Sequence, residues 1–382
     1  MRRRELLSAI ALLALAAPSL QAAETVRIAD VIELSGNGAT VGNMWKNAVE
    51  MAVEEINAAG GILGRSIEIT HFDTQSNPGV SRAAVQKALD LDPYVVLGPI
   101  YSSSTKVNMQ LTRQAGVPQI VGSEASVITE MGNPFIFRTS LSQAASMPKL
   151  ANYIRDGIGA KSVAVLWVNN DFGRGGRDAF VAEMEKRGIK VVADISSEVG
   201  QSDFAADVVK IKQAAPDAAF VYLHEEESAR FLREARKQGL DVPLIGETTL
   251  LNQKVIELAG EAANGVRGHV GLSADAPLPS IAAFRDKFVA RYDTTPDHNA
   301  IKGYLAVYTV KEITERIGGF DRKAFADALH CTTITLEQEP GILIETSWDD
   351  KGDVDRVSFL AEVVDGKQKI VDTLPPLGVT CN

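Results

Sequence analysis

The chain has 382 residues, which is enough for about two domains. Hydrophobic residues make up 45% of it and charged residues 23%, an ordinary composition for a soluble globular protein. The formal net charge of −10, with no strongly basic stretch, argues against nucleic acid as a partner.

The N-terminus has the pattern of a secretory signal peptide over residues 1–23. Three arginines at 2–4 precede a short apolar stretch at 6–17, and small residues follow it. That stretch is too short to span a membrane, so we expect export with cleavage after Ala22 or Ala23. Both the general and the twin-arginine export routes remain open. No cysteine lies at the cleavage site, which argues against a lipid anchor.

Beyond this leader, short apolar runs rich in β-branched residues alternate with amphipathic helical patterns. Strands are predicted at 26–32, 67–72, 94–97, 119–121, 162–168, 190–195, 218–223 and 243–245. Helices are predicted between them at 44–58, 80–91, 106–115, 175–187, 205–214 and 226–238. This alternation is typical of βαβ units, which build parallel sheets with helices on both faces. We therefore predict an α/β protein with two similar lobes of four strands each, and a candidate crossover strand at 135–139.

The last third of the chain departs from this alternation. Helical patterns follow one another at 280–292, 301–317 and 322–329. Strand-like runs come next at 341–347, 357–364 and 369–371. We interpret this order as a return to the first lobe before the chain ends on the second. The predicted ranges are 24–143 and 272–347 for lobe 1, and 144–271 and 348–382 for lobe 2.

The chain contains only two cysteines, Cys331 and Cys381. In an oxidising compartment we expect them to form a disulfide that ties down the C-terminus. Closing a loop of that size is worth about 4 kcal/mol in the chain-entropy model. Two free thiols are the alternative. Neither arrangement indicates catalysis, because no histidine pattern accompanies the cysteines.

The segment 98–105, Gly-Pro-Ile-Tyr-Ser-Ser-Ser-Thr, joins a predicted buried strand to a predicted helix. Free N–H groups and the positive end of the helix dipole make such a turn a seat for an anion, and the hydroxyls add donors. The alternative is that one serine caps the helix and the others are solvated. In open parallel sheets ligands lie outside the carboxyl ends of the strands, so the residues that follow each strand are the candidates for a site.

The strand ends of the two predicted lobes differ in chemistry. Those of the first lobe offer mostly hydroxyls and glycine, at 33–36, 102–104 and 123–126. Those of the second lobe offer acids, a histidine and an aromatic ring, at 169–173, 224–226 and 247–249. A cleft with an anion seat on one side and acids on the other suits a zwitterion.

Several of these segments together resemble a known family. They are Glu-Leu-Ser-Gly at 33–36, Ala-Val-Glu-Glu-Ile-Asn-Ala-Ala-Gly-Gly-Ile-Leu-Gly at 52–64, the serine turn at 102–105, Asn-Pro-Phe-Ile-Phe-Arg-Thr at 133–139, Asp-Phe-Gly at 171–173 and Trp-Asp-Asp-Lys-Gly-Asp at 348–353. With them the chain resembles the periplasmic solute-binding proteins of ABC importers, in the branched-chain amino acid (Leu/Ile/Val) group. The resemblance covers essentially the whole mature chain.

The resemblance implies the type I periplasmic binding fold, in which two Rossmann-like lobes are joined by three crossovers and close over one small ligand. It implies a periplasmic monomer that delivers a solute to an ABC permease, with no cofactor, no metal and no catalysis. The expected ligand is a small carboxylate, most often an amino acid of the branched-chain or hydrophobic type. An aromatic carboxylate, a 2-keto acid or an amide is the first alternative. A sensor that reports to a membrane receptor is the second.

In the first lobe the resemblance implies a site around the serine turn. Ser102 matches the serine that binds the ligand carboxylate, and Ser103 stands beside it. The next contacts are expected from Ser123, Glu124 and Ala125. Relatives usually have Ala-Thr where Glu124 and Ala125 stand, so the threonine hydroxyl is missing here.

In the second lobe the expected contacts close over the ligand. Phe172 and His224 stand at positions that tyrosine often holds, so each keeps a ring. The acid that meets the ligand's amino group falls at Glu247 or Thr248, depending on a one-residue choice of register. Because these positions depart from the family pattern, the identity of the ligand stays open.

Two enzyme classes fit the sequence less well than a solute-binding protein does. A glycine-rich loop at 36–42 lies between a predicted strand and helix, but its third glycine comes one residue too late for a dinucleotide-binding loop. The sequence contains no Gly-x-Ser-x-Gly turn, which a serine hydrolase of this fold class would need. The segment His224-Glu225-Glu226-Glu227 lacks the second histidine of a zinc protease.

Overall fold

The computed structural model of the protein describes residues 24–378 and Cys381. The predicted signal peptide at 1–23 lies outside the described residues. Within them the chain forms two large sheets, called here the first sheet and the second sheet, and one small sheet.

The first sheet has five parallel strands in the order β2-β1-β3-β4-β5. Its strands are β1 (Thr25–Ile32), β2 (Ser66–Asp73), β3 (Val95–Leu97), β4 (Gln119–Val121) and β5 (Ile136–Arg138). The helices between them are α1 (Ala39–Ala58), α2 (Pro78–Leu89), α3 (Ser102–Ala115) and α4 (Val127–Glu130). The candidate crossover strand is therefore the edge strand β5, which lies beside β4.

The second sheet has seven strands in the order β15-β14-β10-β9-β8-β6-β7. The parallel part consists of β6 (Ser162–Val168), β7 (Lys190–Ser197), β8 (Ala218–Tyr222), β9 (Leu244–Gly246) and β10 (Arg267–Val270). Two antiparallel strands complete it, β14 (Ser358–Val364) and β15 (Lys367–Leu374). Its helices are α5 (Gln143–Asn152), α6 (Asp171–Lys186), α7 (Ala205–Ala214), α8 (Glu225–Lys237) and α9 (Gln253–Ala259).

The late helices contact the elements of the first sheet. They are α10 (Pro279–Tyr292), α11 (His298–Ile317) and α12 (Arg322–Leu329). The longest of them, α11, packs along α1. The helices approach closely because position 303 is glycine: a Cβ there would lie 2.8 Å from the carbonyl oxygen of Trp45. The Trp45 ring is fully buried, and its Nε1 donates to Asp30 Oδ1 at 2.9 Å.

A small antiparallel sheet follows α12. It consists of β11 (Thr333–Ile334), β12 (Thr346–Trp348) and β13 (Val354–Asp355). The predicted strand at 341–347 is wrong over its first half, because Pro340–Ile342 forms a 3₁₀ turn that the Glu339 side chain caps through the N–H of Gly341 at 2.9 Å. Cys331, beside this sheet, forms the predicted disulfide with Cys381.

The chain passes between the two large sheets three times, after β5, after β10 and after β13. Before the third passage the chain still contacts the first sheet, since Trp348 Nε1 donates to the Arg138 carbonyl at 3.0 Å and the Arg138 N–H donates to the Gly352 carbonyl at 3.2 Å. The third passage therefore lies after Asp355 and not at 348. The predicted lobe ranges otherwise stay a prediction.

The first and third passages are held together by buried cations. Arg356 Nη2 donates to the Thr139 carbonyl at 2.6 Å, and Lys149 Nζ donates to Ser358 Oγ at 2.9 Å. Burial lowers the pKa of Arg356 to about 9.

The described part of the chain contains neither a membrane-spanning helix nor a cluster of metal-binding side chains. Between residues 24 and 378, no helix combines the length and the apolar character that crossing a membrane requires. Over the same residues, no three histidine, cysteine or acidic side chains are placed to hold a metal ion.

Candidate functional site

A small cavity lies between the carboxyl ends of the strands of the two large sheets. The first sheet contributes residues that follow β3 and β4, the second sheet contributes residues that follow β6, β8 and β9, and α11 contributes its first turns. The cavity has a volume of about 30 Å³, which is room for roughly two water molecules, so its walls lie close together in this form.

The serine turn forms one wall of this cavity. The buried carboxylate of Glu33 accepts hydrogen bonds from the N–H groups of Ile100 at 3.1 Å and Tyr101 at 3.2 Å, just before α3 begins at Ser102. Ser102 Oγ accepts a hydrogen bond from the Ala125 N–H at 3.2 Å. These bonds fix the position of Ser102 from two sides. Burial raises the pKa of Glu33 to about 7, although both amides oppose the shift.

The first turn of α3 keeps free donors. Among the described residues, no acceptor is found for the N–H groups of Ser102, Ser103 and Ser104. These groups lie at the positive end of a 14-residue helix, where an anion is stabilised. The geometry of the turn is thus compatible with the predicted carboxylate seat.

A buried ion pair lies next to this turn. Lys302 Nζ, from the second turn of α11, lies 2.7 Å from Glu124 Oε1 and donates to the Gly122 carbonyl at 3.3 Å. Both side chains line the cavity. Burial raises the pKa of Glu124, while the Lys302 ammonium opposes that rise.

A stack of rings forms the opposite wall. Tyr101 stacks on His224 with ring centroids 4.6 Å apart, His224 stacks on Phe172 at 5.2 Å, and Phe172 stacks on Tyr222 at 4.3 Å. Tyr101 belongs to the first sheet's side and the other rings to the second sheet's side, so the stack bridges the two. Burial lowers the pKa of His224 to about 4, which leaves its ring neutral at physiological pH. Asn170 Nδ2 holds His224 Nε2 at 2.8 Å.

The predicted acid of the second lobe lies elsewhere. Glu247 is buried beneath β10, where its Oε1 lies 2.6 Å from His269 Nδ1. Thr248 Oγ1 accepts a hydrogen bond from the Gly271 N–H at 3.0 Å. Neither residue lines the cavity, whereas the next residue, Thr249, does.

The structure brings Ser102, Glu124, Phe172 and His224 together at the cavity, and places the other candidates around it. Ser103 lies in an adjoining opening. The Ser123 carbonyl accepts bonds from Arg138 Nη1 and Ser140 Oγ, both at 2.8 Å. Ala125 contributes the N–H that binds Ser102. These three residues support the wall without lining it.

Sequence reasoning missed the contribution of α11. Asp297 caps this helix by accepting from the N–H groups of Asn299 at 2.8 Å and Ala300 at 3.1 Å, so the helix begins three residues before the predicted start at 301. His298, Asn299 and Lys302 all line the cavity. The available signal was a cluster of polar residues at the start of an otherwise apolar helix.

Glu225 lies in the strand-end segment 224–226 but was not expected to contact the ligand, because acids in the first turn of a helix are ordinarily explained by the helix dipole. It is the first residue of α8 and lines the cavity. Burial raises the pKa of Glu225 to about 8, and the nearby Asp297, Glu227 and Glu124 add to the rise.

Comparisons with known proteins agree with this fold. The chain is 29% identical over 359 residues to the leucine-, isoleucine-, valine-, threonine- and alanine-binding protein of Pseudomonas aeruginosa, covering 94% of both. Among solved structures it resembles the branched-chain amino acid transporter substrate-binding protein LivJ of Streptococcus pneumoniae in complex with isoleucine, with a TM-score of 0.83 and 25% identity over 92% of this chain and 99% of that one. It also resembles a solute-binding protein of an ABC transporter from R. palustris in complex with benzoate, with a TM-score of 0.85 and 21% identity over 93% and 98% of the two chains.

The family model of periplasmic binding proteins matches residues 25–368, which is most of the chain. Its span includes the first sheet, the second sheet up to the first two residues of β15, the three passages between the sheets and every residue that lines the cavity. The chain therefore belongs to the periplasmic binding protein family.

Proposed function

We propose that this protein is the extracytoplasmic solute-binding component of an ABC importer, and that it captures a hydrophobic amino acid between its two lobes. The observation that carries the proposal is the cavity between the strand ends, where Ser102 and the free N–H groups of α3 lie on one side and acidic side chains face them. Relatives of similar length that bind branched-chain amino acids support it.

The ligand's carboxylate is proposed to bind at the first turn of α3. There the N–H groups of residues 102–104 and the Ser102 hydroxyl donate to it, and the helix dipole stabilises the charge. Lys302 also lines the cavity, but its ammonium is paired with Glu124 at 2.7 Å, so the first turn of α3 supplies the donors for the ligand's carboxylate. The side chain of the solute then packs against the rings of Phe172 and His224.

Closure is proposed to couple binding to transport. Ligand bound to the first lobe favours the form in which Phe172 and His224 cover it, and the membrane permease recognises that form. The protein acts in the periplasm as a monomer after cleavage behind Ala22 or Ala23, and it performs no catalysis.

An aromatic carboxylate is the second candidate. The stack of Tyr101, His224 and Phe172 presents ring faces beside the cavity, and one relative of the same fold has been solved with benzoate. Such a ligand would use the same seat at Ser102 and no acid of the opposite wall.

A thermal-shift screen of protein stripped by unfolding and refolding tests the proposal. The panel holds the L-amino acids, their 2-keto acids, small amides and benzoate-type acids. A ligand at 100 times its dissociation constant stabilises the protein by ~2.7 kcal/mol, which gives a clear rise in the melting temperature. A panel in which no carboxylate raises the melting temperature contradicts the proposal.

Replacing Ser102 with alanine tests whether this residue binds the carboxylate of the ligand. Loss of a hydrogen bond to a charged group should weaken ligand binding by ~1–3 kcal/mol, measured by calorimetry. Ser104→Ala is the matched control, because Ser104 lies on the same turn but does not line the cavity. Unchanged affinity in Ser102→Ala, or an equal loss in both variants, contradicts the assignment.

A further inference from the structure

We propose that Glu225 receives a positively charged nitrogen of the ligand, so that the cavity selects solutes carrying both a carboxylate and a cation. The inference rests on the proposed function, because it assigns a role within the same cavity. It moves the recognition of the amino group from the expected position, Glu247 or Thr248, to the first residue of α8.

The position of Glu225 is that of a ligand contact. Its side chain lines the cavity, and the residue is only 8% exposed. Among the described residues, no lysine, arginine or histidine pairs with its carboxyl group, which accepts a hydrogen bond from its own backbone N–H. A buried acid without a partner is costly unless it is neutral or meets a cation.

The other acids around the cavity already have partners. Glu124 pairs with Lys302 at 2.7 Å, and Glu247 lies 2.6 Å from His269 Nδ1. Glu33 accepts two backbone N–H groups. Glu225 is therefore the acid of this cavity whose charge the described protein does not balance.

The remaining titratable groups near Glu225 do not supply a positive charge. Burial lowers the pKa of His224 to about 4 and that of His298 well below its ordinary value, so both rings are neutral. Asp297 at the start of α11 and Glu227 on α8 are acidic and add to the negative potential. The Lys302 ammonium is engaged by Glu124.

This arrangement separates two classes of ligand. A carboxylate without an amino group would enter a cavity in which Lys302 is already paired with Glu124. It would also leave the Glu225 carboxyl group without a positively charged partner. A zwitterion places its carboxylate at the Ser102 turn and its ammonium against Glu225, so that each ligand charge meets a partner. The cavity therefore favours amino acids over acids that lack a nitrogen.

The same arrangement predicts a pH dependence. With a pKa of about 8, Glu225 is mostly protonated at neutral pH in the ligand-free protein. An ammonium that binds the ionised form expels this proton, so affinity should rise as the pH increases toward about 8, by up to tenfold per pH unit. Glu33, whose pKa is about 7, already accepts two N–H groups and lies on the opposite wall.

Three matched sets of probes test the inference by calorimetry on the stripped, full mature protein. Each set holds an amino acid, the acid that lacks its amino group and the amine that lacks its carboxylate. The sets start from L-leucine with 4-methylpentanoate and 3-methylbutylamine, and extend to L-valine and L-phenylalanine. We expect an amino acid to bind more tightly than its deaminated partner, with an affinity that rises between about pH 6 and pH 8.

Glu225→Gln should weaken binding of that amino acid by about 30-fold or more and abolish the rise with pH. Glutamine matches the protonated acid in shape, so the fold should be retained. Melting curves of Glu225→Gln and of Glu225→Asp, which keeps the carboxylate, check that the variants are folded. Glu226→Gln is the control, because Glu226 lies on the same helical turn but pairs with Arg230 at 2.9 Å on the surface. It should leave both affinity and pH profile unchanged.

The outcomes separate the inference from the proposed function. Equal affinity of an amino acid for wild type and Glu225→Gln overturns the inference and leaves the proposed function intact. Binding of the acids without any ammonium-bearing probe also overturns the inference and leaves only the carboxylate seat. Failure of every probe overturns the inference together with the proposed hydrophobic amino acid ligand.

Discussion

Replacing Lys302 with methionine removes the positive member of the buried ion pair. The ammonium lies 2.7 Å from Glu124 Oε1, and Lys302 has only 3% of its side chain exposed. Methionine fills similar space without a charge, so the carboxylate loses its partner while the packing of α11 is largely kept. Removing one member of a buried pair costs about 3–5 kcal/mol of unfolding free energy. We expect a loss of this size at about pH 8, measured by urea unfolding of the ligand-free protein.

The loss should shrink as the pH falls. Burial raises the pKa of Glu124 above its ordinary value even beside Lys302, and without the ammonium the pKa rises further. A carboxyl group whose pKa is higher in the folded protein contributes stability below its unfolded pKa, and that stability is lost as the pH rises through the folded pKa. The Lys302→Met variant should therefore be closest to wild type near pH 5 and furthest from it above neutral pH.

A second substitution and a control complete this experiment. Adding Glu124→Gln removes the unpaired acid, so the double variant should recover much of the stability that Lys302→Met loses at about pH 8. Lys323→Met, at an exposed position of α12, should change stability by no more than about 0.5 kcal/mol. A loss that is the same at pH 5 and pH 8, or a double variant whose losses simply add, would refute the reasoning.

Two further predictions concern the ligand-free protein. Its stability should fall between about pH 5 and pH 9, because burial raises the pKa of Glu33 to about 7 and that of Glu225 to about 8, so that ionising either group costs more in the folded protein than in the unfolded chain. Urea unfolding across this range should show a flatter profile in Glu225→Gln, and a stability that increases with pH contradicts the prediction. Reducing the disulfide between Cys331 and Cys381, which are 50 residues apart, should lower the unfolding free energy by about 4 kcal/mol in the same assay, and an unchanged denaturation midpoint contradicts it.

Much of the fold was predictable because its main signals are local. Each strand of the parallel core is a short apolar run and each connecting helix has an amphipathic pattern, so the alternation alone indicates βαβ units. β10 was missed because Arg267, Gly268 and His269 do not form an apolar run. That strand lies between β9 and β14 inside the second sheet, where neighbours rather than local preference determine its conformation.

The failure to predict β10 also explains why the candidate site was predicted only in part. Ser102, Glu124, Phe172 and His224 follow strands that were recognised, so the rule that ligands bind at strand ends led to them. Glu247 also follows a recognised strand, but His269 on the unrecognised β10 binds it. Lys302 could not be found by this rule, because it lies on a helix, α11, whose position at the cavity depends on its packing against elements far away in the sequence, chiefly α1.

The resident carboxylate of Glu33 has a consequence for anion selectivity. By accepting the N–H groups of Ile100 and Tyr101, it leaves an incoming anion only the donors of the first turn of α3. A planar carboxylate with one charge spread over two oxygens can be satisfied there. A tetrahedral phosphate dianion needs more donors and places a second negative charge near Glu33. We therefore expect the proposed carboxylate site to discriminate by charge density and to bind a carboxylate more tightly than a phosphate dianion.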